Sequence, residues 1–291
     1  MPKPRLLFIS NLFPDEAEPY RGLDNATVLR HLTERWDIAT IALRPTLPFR
    51  GRRYVPRDED APLAPRFVEA LYVPKVGHQV NHRLMARALR RQIQQMRGAF
   101  QVALVSWIYP DACAVALLAK EMGFPFVAIA QGSDVHQYLR IPQRREIITS
   151  LLPGASGIIT RSAELARLLG DAGLPRERLH PIHNGINLAL FHPAEHLAIR
   201  RELRLPPDAR IVLFVGNFVA IKNPVLMVQA IGRLREDPAF SNVLLVMIGG
   251  GPMEDEITFH ISRGGLDERV MLAGTPTRSI SRTAARLNLV T

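Results

Sequence analysis

Short apolar runs recurring at helix-length intervals constrain this chain more than any other feature. Arg5-Leu-Leu-Phe-Ile-Ser10 and Asp37-Ile-Ala-Thr-Ile-Ala-Leu43 have strand length, and the helix-compatible stretch Asn25 to Arg35 lies between them. Such a unit is βαβ and implies parallel strands. The rhythm continues through Val102 to Val105, Phe126 to Ala130 and Gly157 to Thr160, separated by helix-compatible stretches at Asp111 to Met122 and Ala163 to Leu169. It predicts an α/β, doubly wound sheet.

The same rhythm restarts later. After Asn184 come Phe191-His192-Pro193, a charged stretch Glu195 to Arg204 and Leu205-Pro206-Pro207-Asp208, which together read as a domain boundary. Beyond it the strand Ile211 to Val215 ends in Gly216, a helix is expected from Pro224 to Arg235, and Val243 to Ile248 runs into Gly249-Gly250-Gly251. Val270 to Ala273 supplies a third strand and Leu287 to Val290 the start of a fourth. The 291 residues suffice for two domains at roughly 100 to 200 residues each. The expectation is an N-terminal Rossmann-like domain at 1–190 and an incomplete C-terminal one at 191–291. Residues 44–81 hold six prolines and little periodicity. They are expected to form a long irregular connection with a short strand at Val68 to Val73.

Several classes are disfavoured. No window supplies the roughly 18 apolar residues of a membrane span, and the N-terminus is too short in apolar residues for a secretory signal, so a cytoplasmic protein is expected. The single Cys113 excludes an intramolecular disulfide and reads as packing. The chain contains no G-x-x-x-x-G-K-[ST] loop, no G-x-G-x-x-G after the first strand, no nucleophile elbow and no paired-histidine or cysteine metal motif. An NTPase, a dinucleotide oxidoreductase, a triad hydrolase and a zinc enzyme are therefore disfavoured, and no metal site is expected. Basic residues exceed acidic ones by 37 − 27 = 10, which favours anionic partners. Without aromatic-rich strands or a helix-turn-helix signal, nucleic acid is not the expected one.

Four lysines stand against thirty-three arginines, which makes each lysine informative. Lys222 follows the strand ending in Gly216-Asn217 and precedes a helix with Pro224 in its first turn, where it could serve as a point charge for a diphosphate. The alternative is a solvated loop lysine. Gly249-Gly250-Gly251 permits close backbone approach to a ligand, or is a simple turn. In the first domain, Gly22 lies in the loop between the first strand and its helix. Gln131-Gly132-Ser133-Asp134 follows the strand Phe126 to Ala130, with Asp134 either a site carboxylate or a helix cap. Ser106, Trp107 and Asp111 follow another strand end. The segment His82 to Arg97 sets Met85, Leu89, Ile93 and Met96 on one arc and Arg83, Arg87, Arg90 and Arg91 opposite. It reads either as an ordinary packed helix with a solvated face or as a helix that meets an anionic membrane surface.

Taken together, these residues resemble glycosyltransferase family 4. The resemblance is carried by Ser10-Asn11-Leu12-Phe13-Pro14 with Gly22, Gly132-Ser133-Asp134, Gly157-Ile-Ile-Thr160 with Ser162, Asn184-Gly185-Ile186-Asn187 with Phe191, and Val215-Gly216 with Lys222, followed by Gly249-Gly250-Gly251. It implies the GT-B fold, two Rossmann-like domains facing across a cleft. It also implies transfer of a sugar from a nucleoside-diphosphate sugar with retention of configuration and without a metal or other cofactor. The donor would be held by Gly22, Gly216, Asn217, Lys222, Gly250 and Gly251, and the acceptor side formed by Gln131, Gly132, Ser133 and Asp134. Asp134 and Lys222 would be catalytic, and the acceptor a glycan or lipid-linked. Two positions depart from the family pattern: Asn217 stands where an arginine is usual, and Gln131 where many members carry histidine. The family also continues into a glutamate-bearing segment past Thr291. The rival reading is a truncated, non-catalytic module that binds nucleotide or a membrane surface through 82–97.

Overall fold

The computed structural model describes residues 2–47, 53–186, 188, 200–201 and 205–274. The chain divides into two compact units, 1–184 and 185–291. In the first, seven parallel strands lie in the order β3-β2-β1-β4-β5-β6-β7. They are β1 (Arg5–Ser10), β2 (Asp37–Thr46), β3 (Pro65–Leu71), β4 (Val102–Ser106), β5 (Phe126–Ala130), β6 (Gly157–Thr160) and β7 (Leu179–Pro181). The helices are α1 (Leu23–Leu32), α2 (Asn81–Gln95), α3 (Cys113–Met122), the single turn α4 (Ser133–His136), α5 (Pro142–Leu151) and α6 (Ala163–Asp171). Strand order reverses between β1 and β4, so the C-terminal ends of these central strands open toward a crevice where α/β sheets bind ligands.

The central strands β1 and β4 are buried because helices cover both faces. Leu7, Ile9, Ala103 and Val105 join the core under α2 and α3, while Leu6, Phe8 and Ala42 pack with Ala26 and Leu29 of α1 on the other side. Helix α2 turns Met85, Leu89 and Ile93 inward, each at most 1% exposed, which removes roughly 1.5 to 3 kcal/mol worth of apolar surface per side chain from water. Cys113 is wholly buried in the same core.

One expectation needs correction here. The 44–81 connection is more ordered than its prolines suggested: β2 runs on to Thr46, a 3-10 turn covers Asp58–Leu63, and β3 pairs with β2 from Thr40↔Pro65 to Thr46↔Leu71. The β1 pairing of β2 ends at Ala42, so by Pro45 the strand has one partner and a missing N–H is tolerated. Pro65 opens an edge strand, another position where proline fits.

The second unit contains a three-stranded parallel sheet in the order β10-β9-β8. Its elements are β8 (Arg210–Val215), α7 (Pro224–Leu234), β9 (Val243–Ile248), α8 (Glu254–Gly264) and β10 (Val270–Leu272). Strand β9 is buried at all six residues, between Val228, Ile231, Ile257 and Ile261 on one face and Leu205 and Ala209 on the other. The boundary stretch 191–199 and the strand expected at Leu287 to Val290 lie outside the described residues.

Candidate functional site

In the first unit, polar residues converge at the C-terminal ends of β1, β4, β5 and β6. Gln131, directly after β5, is their hub. Its Nε2 donates to Asn25 Oδ1 at 3.0 Å and to Ser106 Oγ at 2.7 Å, and its Oε1 accepts from Arg161 Nε at 3.2 Å. Asn25 in turn donates to the carbonyl of Leu12 at 2.8 Å, which ties the hub to the loop that carries Gly22. Gly22 caps α1 at φ 62° with no side-chain cap on the helix. A Cβ there would lie 2.2 Å from the Leu12 carbonyl oxygen, so only glycine lets the loop close onto the helix start. The uncapped N–H groups of α1 are suited to an anion.

Two buried carboxylates hold this crevice in shape. Asp111 Oδ2 accepts from both the backbone N–H and the side-chain amide of Asn11, at 2.6 and 2.9 Å, and thereby joins the end of β1 to the turn after β4. Burial pushes its pKa up to about 7, with Asp134 adding to the rise and the Asn11 bonds and Arg21 opposing it. Asp134 accepts from the backbone N–H groups of Gln131 and Gly132 at 3.0 and 2.8 Å on Oδ1, and of Ile108 at 2.9 Å on Oδ2. Burial raises its pKa against those donors.

Asp134, expected to be catalytic, is 0% exposed with both oxygens accepting from backbone N–H groups. It positions Gln131 and Gly132, stitching the β4 and β5 loops together. Gly132 is the N-cap of α4, and Ser133 beside it is exposed.

In the second unit, the loops after β8 and β9 run alongside each other. Gly216 donates to Ile248 O at 2.9 Å, Phe218 to Gly250 O at 2.9 Å, and Met253 to Phe218 O at 3.1 Å. Gly216 and Asn217 are thus brought against Gly250 and Gly251. The glycine run has a packing cause: a Cβ on Gly249 would sit 1.9 Å from Gly216 O, and one on Gly251 would sit 2.7 Å from Phe218 O. Phe218 is buried beneath this pair of loops. Lys222 ends a 3-10 turn, Ala220–Lys222, and Pro224 occupies the first turn of α7, which has no side-chain cap. Lys222 is exposed and among the described residues forms no ion pair. An unneutralised ammonium thus precedes an open helix N-terminus.

Sequence reasoning passed over Asn25 and Arg161. Arg161 follows β6 directly, the strand-end position that singled out Gln131, and this was the available signal. Burial lowers its pKa while Asp24 opposes the change, and its Nη2 is buried without a hydrogen-bond partner. Among the described residues no group of three or more His, Cys, Asp or Glu is placed to hold a metal ion, and no helix is long and apolar enough to cross a membrane.

Comparison with known proteins agrees with this architecture. The chain is 32% identical over 125 residues to a D-inositol 3-phosphate glycosyltransferase of Thermobispora bispora, covering 43% of this chain and 28% of the relative. A protein of the same description from Nocardia farcinica is 30% identical over 180 residues, covering 57% and 39%. The chain thus matches well under two thirds of these relatives' own lengths. Among solved structures, Anabaena HepE in complex with UDP superposes with a TM-score of 0.70 at 14% identity, covering 96% of this chain and 71% of that one. Sucrose-phosphate synthase from Thermosynechococcus elongatus gives 0.68 at 18% identity, covering 97% and 73%. At such identities the likeness carries the fold alone, α/β with two Rossmann-like units of the GT-B class. The description "Glycosyl transferases group 1" matches residues 196–282, and "Glycosyltransferase Family 4" matches residues 14–190. That second match spans more than half of the chain, which belongs to glycosyltransferase family 4.

Proposed function

We propose that the chain transfers a sugar from a nucleoside-diphosphate sugar to an acceptor hydroxyl with retention of configuration. The observation that carries this reading is the exposed Lys222, which forms no ion pair among the described residues, immediately before the open N-terminus of α7. Cleaving the anomeric bond leaves growing negative charge on the diphosphate, and an ammonium beside a helix N-terminus stabilises that charge without reorganising. Gly216, Asn217 and Gly250, in the loops after β8 and β9, would supply backbone to the same diphosphate. Family membership supports the reading, as do solved relatives whose descriptions include UDP and UDP-glucose. Retention needs no protein nucleophile: the acceptor hydroxyl attacks from the leaving-group face and passes its proton toward the departing phosphate. The crevice around Gln131, Gly132 and Ser133 is the acceptor side, and no metal takes part.

Titration calorimetry of the 291-residue chain with UDP, GDP and ADP tests the donor half. One nucleotide is expected to bind selectively, and Lys222→Ala is expected to weaken it at least about tenfold, roughly 1.4 kcal/mol. Equal affinity in the variant would remove Lys222 from the site.

A further inference from the structure

The polar hub of the first unit leaves one charge unspent. An arginine only donates, so it compels the Gln131 carboxamide to turn its oxygen toward Arg161 Nε, at 3.2 Å. The amide nitrogen then faces Asn25 Oδ1 and Ser106 Oγ, at 3.0 and 2.7 Å, and both of its N–H groups are taken. Asn25 is fixed in turn by donating to the Leu12 carbonyl at 2.8 Å, and Asn25 and Ser106 are both buried. Gln131 therefore keeps no donor for a ligand. It is a bracket for the arginine.

Arg161 is where capacity remains. It follows β6 directly, at the C-terminal strand ends where open α/β sheets place ligands. It is half-buried, unlike the sealed Asp134 beside the hub. The bond to Gln131 uses Nε alone, while Nη2 is buried without a partner. Among the described residues the side chain forms no ion pair. Asp24, exposed in the first turn of α1, acts on it only through space. An arginine keeps its charge here, and a charged donor left unfilled inside a protein is costly. The fold supplies the cation and holds it, and the anion comes from outside.

We propose that Arg161 binds a carboxylate, with Gln131 as its positioning residue, so that the crevice takes an acidic saccharide. With Nε committed, the guanidinium offers Nη1 and Nη2, a planar pair that matches the two oxygens of a carboxylate. Nη2 is covered in the free protein, so the second bond forms as the guanidinium turns outward on its Gln131 anchor. The charge balance sets the class of anion. Asn25, Ser106 and Gln131 are neutral, and Asp24 adds a negative charge nearby, so a single negative charge is matched and a dianion such as a phosphomonoester is disfavoured. That the saccharide is the acceptor rests on the proposed transferase reading; that Arg161 binds it does not.

The test is saturation-transfer NMR and calorimetric titration of the full chain with D-glucuronate, D-glucose and inorganic phosphate. Glucuronate is expected to saturate and to bind at least about tenfold more tightly than glucose, a preference that Arg161→Gln removes while leaving the glucose response unchanged. Arg161→Lys keeps the charge without the planar pair and should weaken glucuronate several-fold. Gln131→Ala should do the same and shift the Arg161 Nε–H resonance, which glucuronate also shifts in the parent chain. Circular dichroism reports whether each variant folds; if Arg161→Gln does not, Arg161→Lys decides. The proposal is overturned if glucuronate does not saturate or binds no better than glucose, if phosphate binds more tightly than glucuronate, or if the folded Arg161 variants bind as the parent does. An unmoved Nε–H resonance and unchanged affinity in Gln131→Ala would overturn the positioning role. Nucleotide binding is measured separately through Lys222, so failure of either titration leaves the other reading standing.

Discussion

Asp111 and His82 are buried groups whose shifts oppose each other across one pH range. For Asp111 the folded pKa is raised from 3.8 to about 7, so the native state holds the proton longer than the unfolded chain. Stability then falls as pH rises from about 4 to about 7, by on the order of 4 kcal/mol in the limit of an isolated group. For His82 the folded pKa is lowered from 6.5 to about 4. The unfolded chain binds that proton first, and stability falls as pH drops from about 6.5 toward 4. The two slopes offset each other in the parent protein. Asp111→Asn keeps an oxygen for Asn11 and removes one slope. Thermal melts of this variant are expected to show Tm rising between pH 4 and 6.5 more steeply than in the parent; an identical profile would mean that Asp111 is ionised in the fold. The residue scale also shows how far side-chain type can mislead. Asp134 sits in a polar Gly-Ser-Asp loop that suggests chemistry, yet its burial makes it a clasp. Gln131, whose type suggests less, holds three partners.

Helix α2 carries two faces with separate consequences. Its apolar stripe, Met85, Leu89 and Ile93, packs into the first unit's core, so that stripe is unavailable for insertion into a bilayer, and a membrane contact would rest on the exposed Arg83, Arg87 and Arg91. Leu89→Ala is expected to cost roughly 2 to 5 kcal/mol in chemical denaturation through the cavity it leaves. Replacing Arg83, Arg87 and Arg91 together by Gln should leave stability within about 1 kcal/mol. If the helix meets anionic lipid electrostatically, the same triple variant loses sedimentation with anionic vesicles at low salt. Unchanged sedimentation would place the membrane contact elsewhere. The β2 and β3 strands make the complementary point about elements. Prolines at 45 and 65 read locally as breaks, but an edge position makes both acceptable, and edge position is a property of the sheet.

At the scale of the whole molecule, each unit has its own core among the described residues. A chain ending at Asn184 is accordingly expected to fold by itself, melting cooperatively and retaining the crevice around Gln131, since the residues bonded to it all precede that residue. Loss of far-UV circular dichroism in this fragment would show that the first unit depends on the second. Nucleotide binding, by contrast, is expected to be lost with Lys222. The same division explains why the two halves of the proposed chemistry were legible to different degrees. The donor loop is a local arrangement of strand, glycine, lysine and helix start, readable within ten residues. The acceptor crevice gathers residues from four strand ends.

The sequence by itself determined the repeated strand and helix rhythm, the parallel class of both sheets, the family and the lysine before α7, because periodicity, glycine placement and charge act over a few residues. Tertiary structure alone decided that Gln131 meets Asn25 across 106 positions, that Asp134 is sealed, that Gly249 and Gly251 answer to Gly216 and Phe218, and that Arg144 lies buried over the rings of Tyr109 and Tyr138. Each of these depends on which strand ends become neighbours. That order arises from burying both faces of the sheet at once, a condition on the whole chain that no short segment carries.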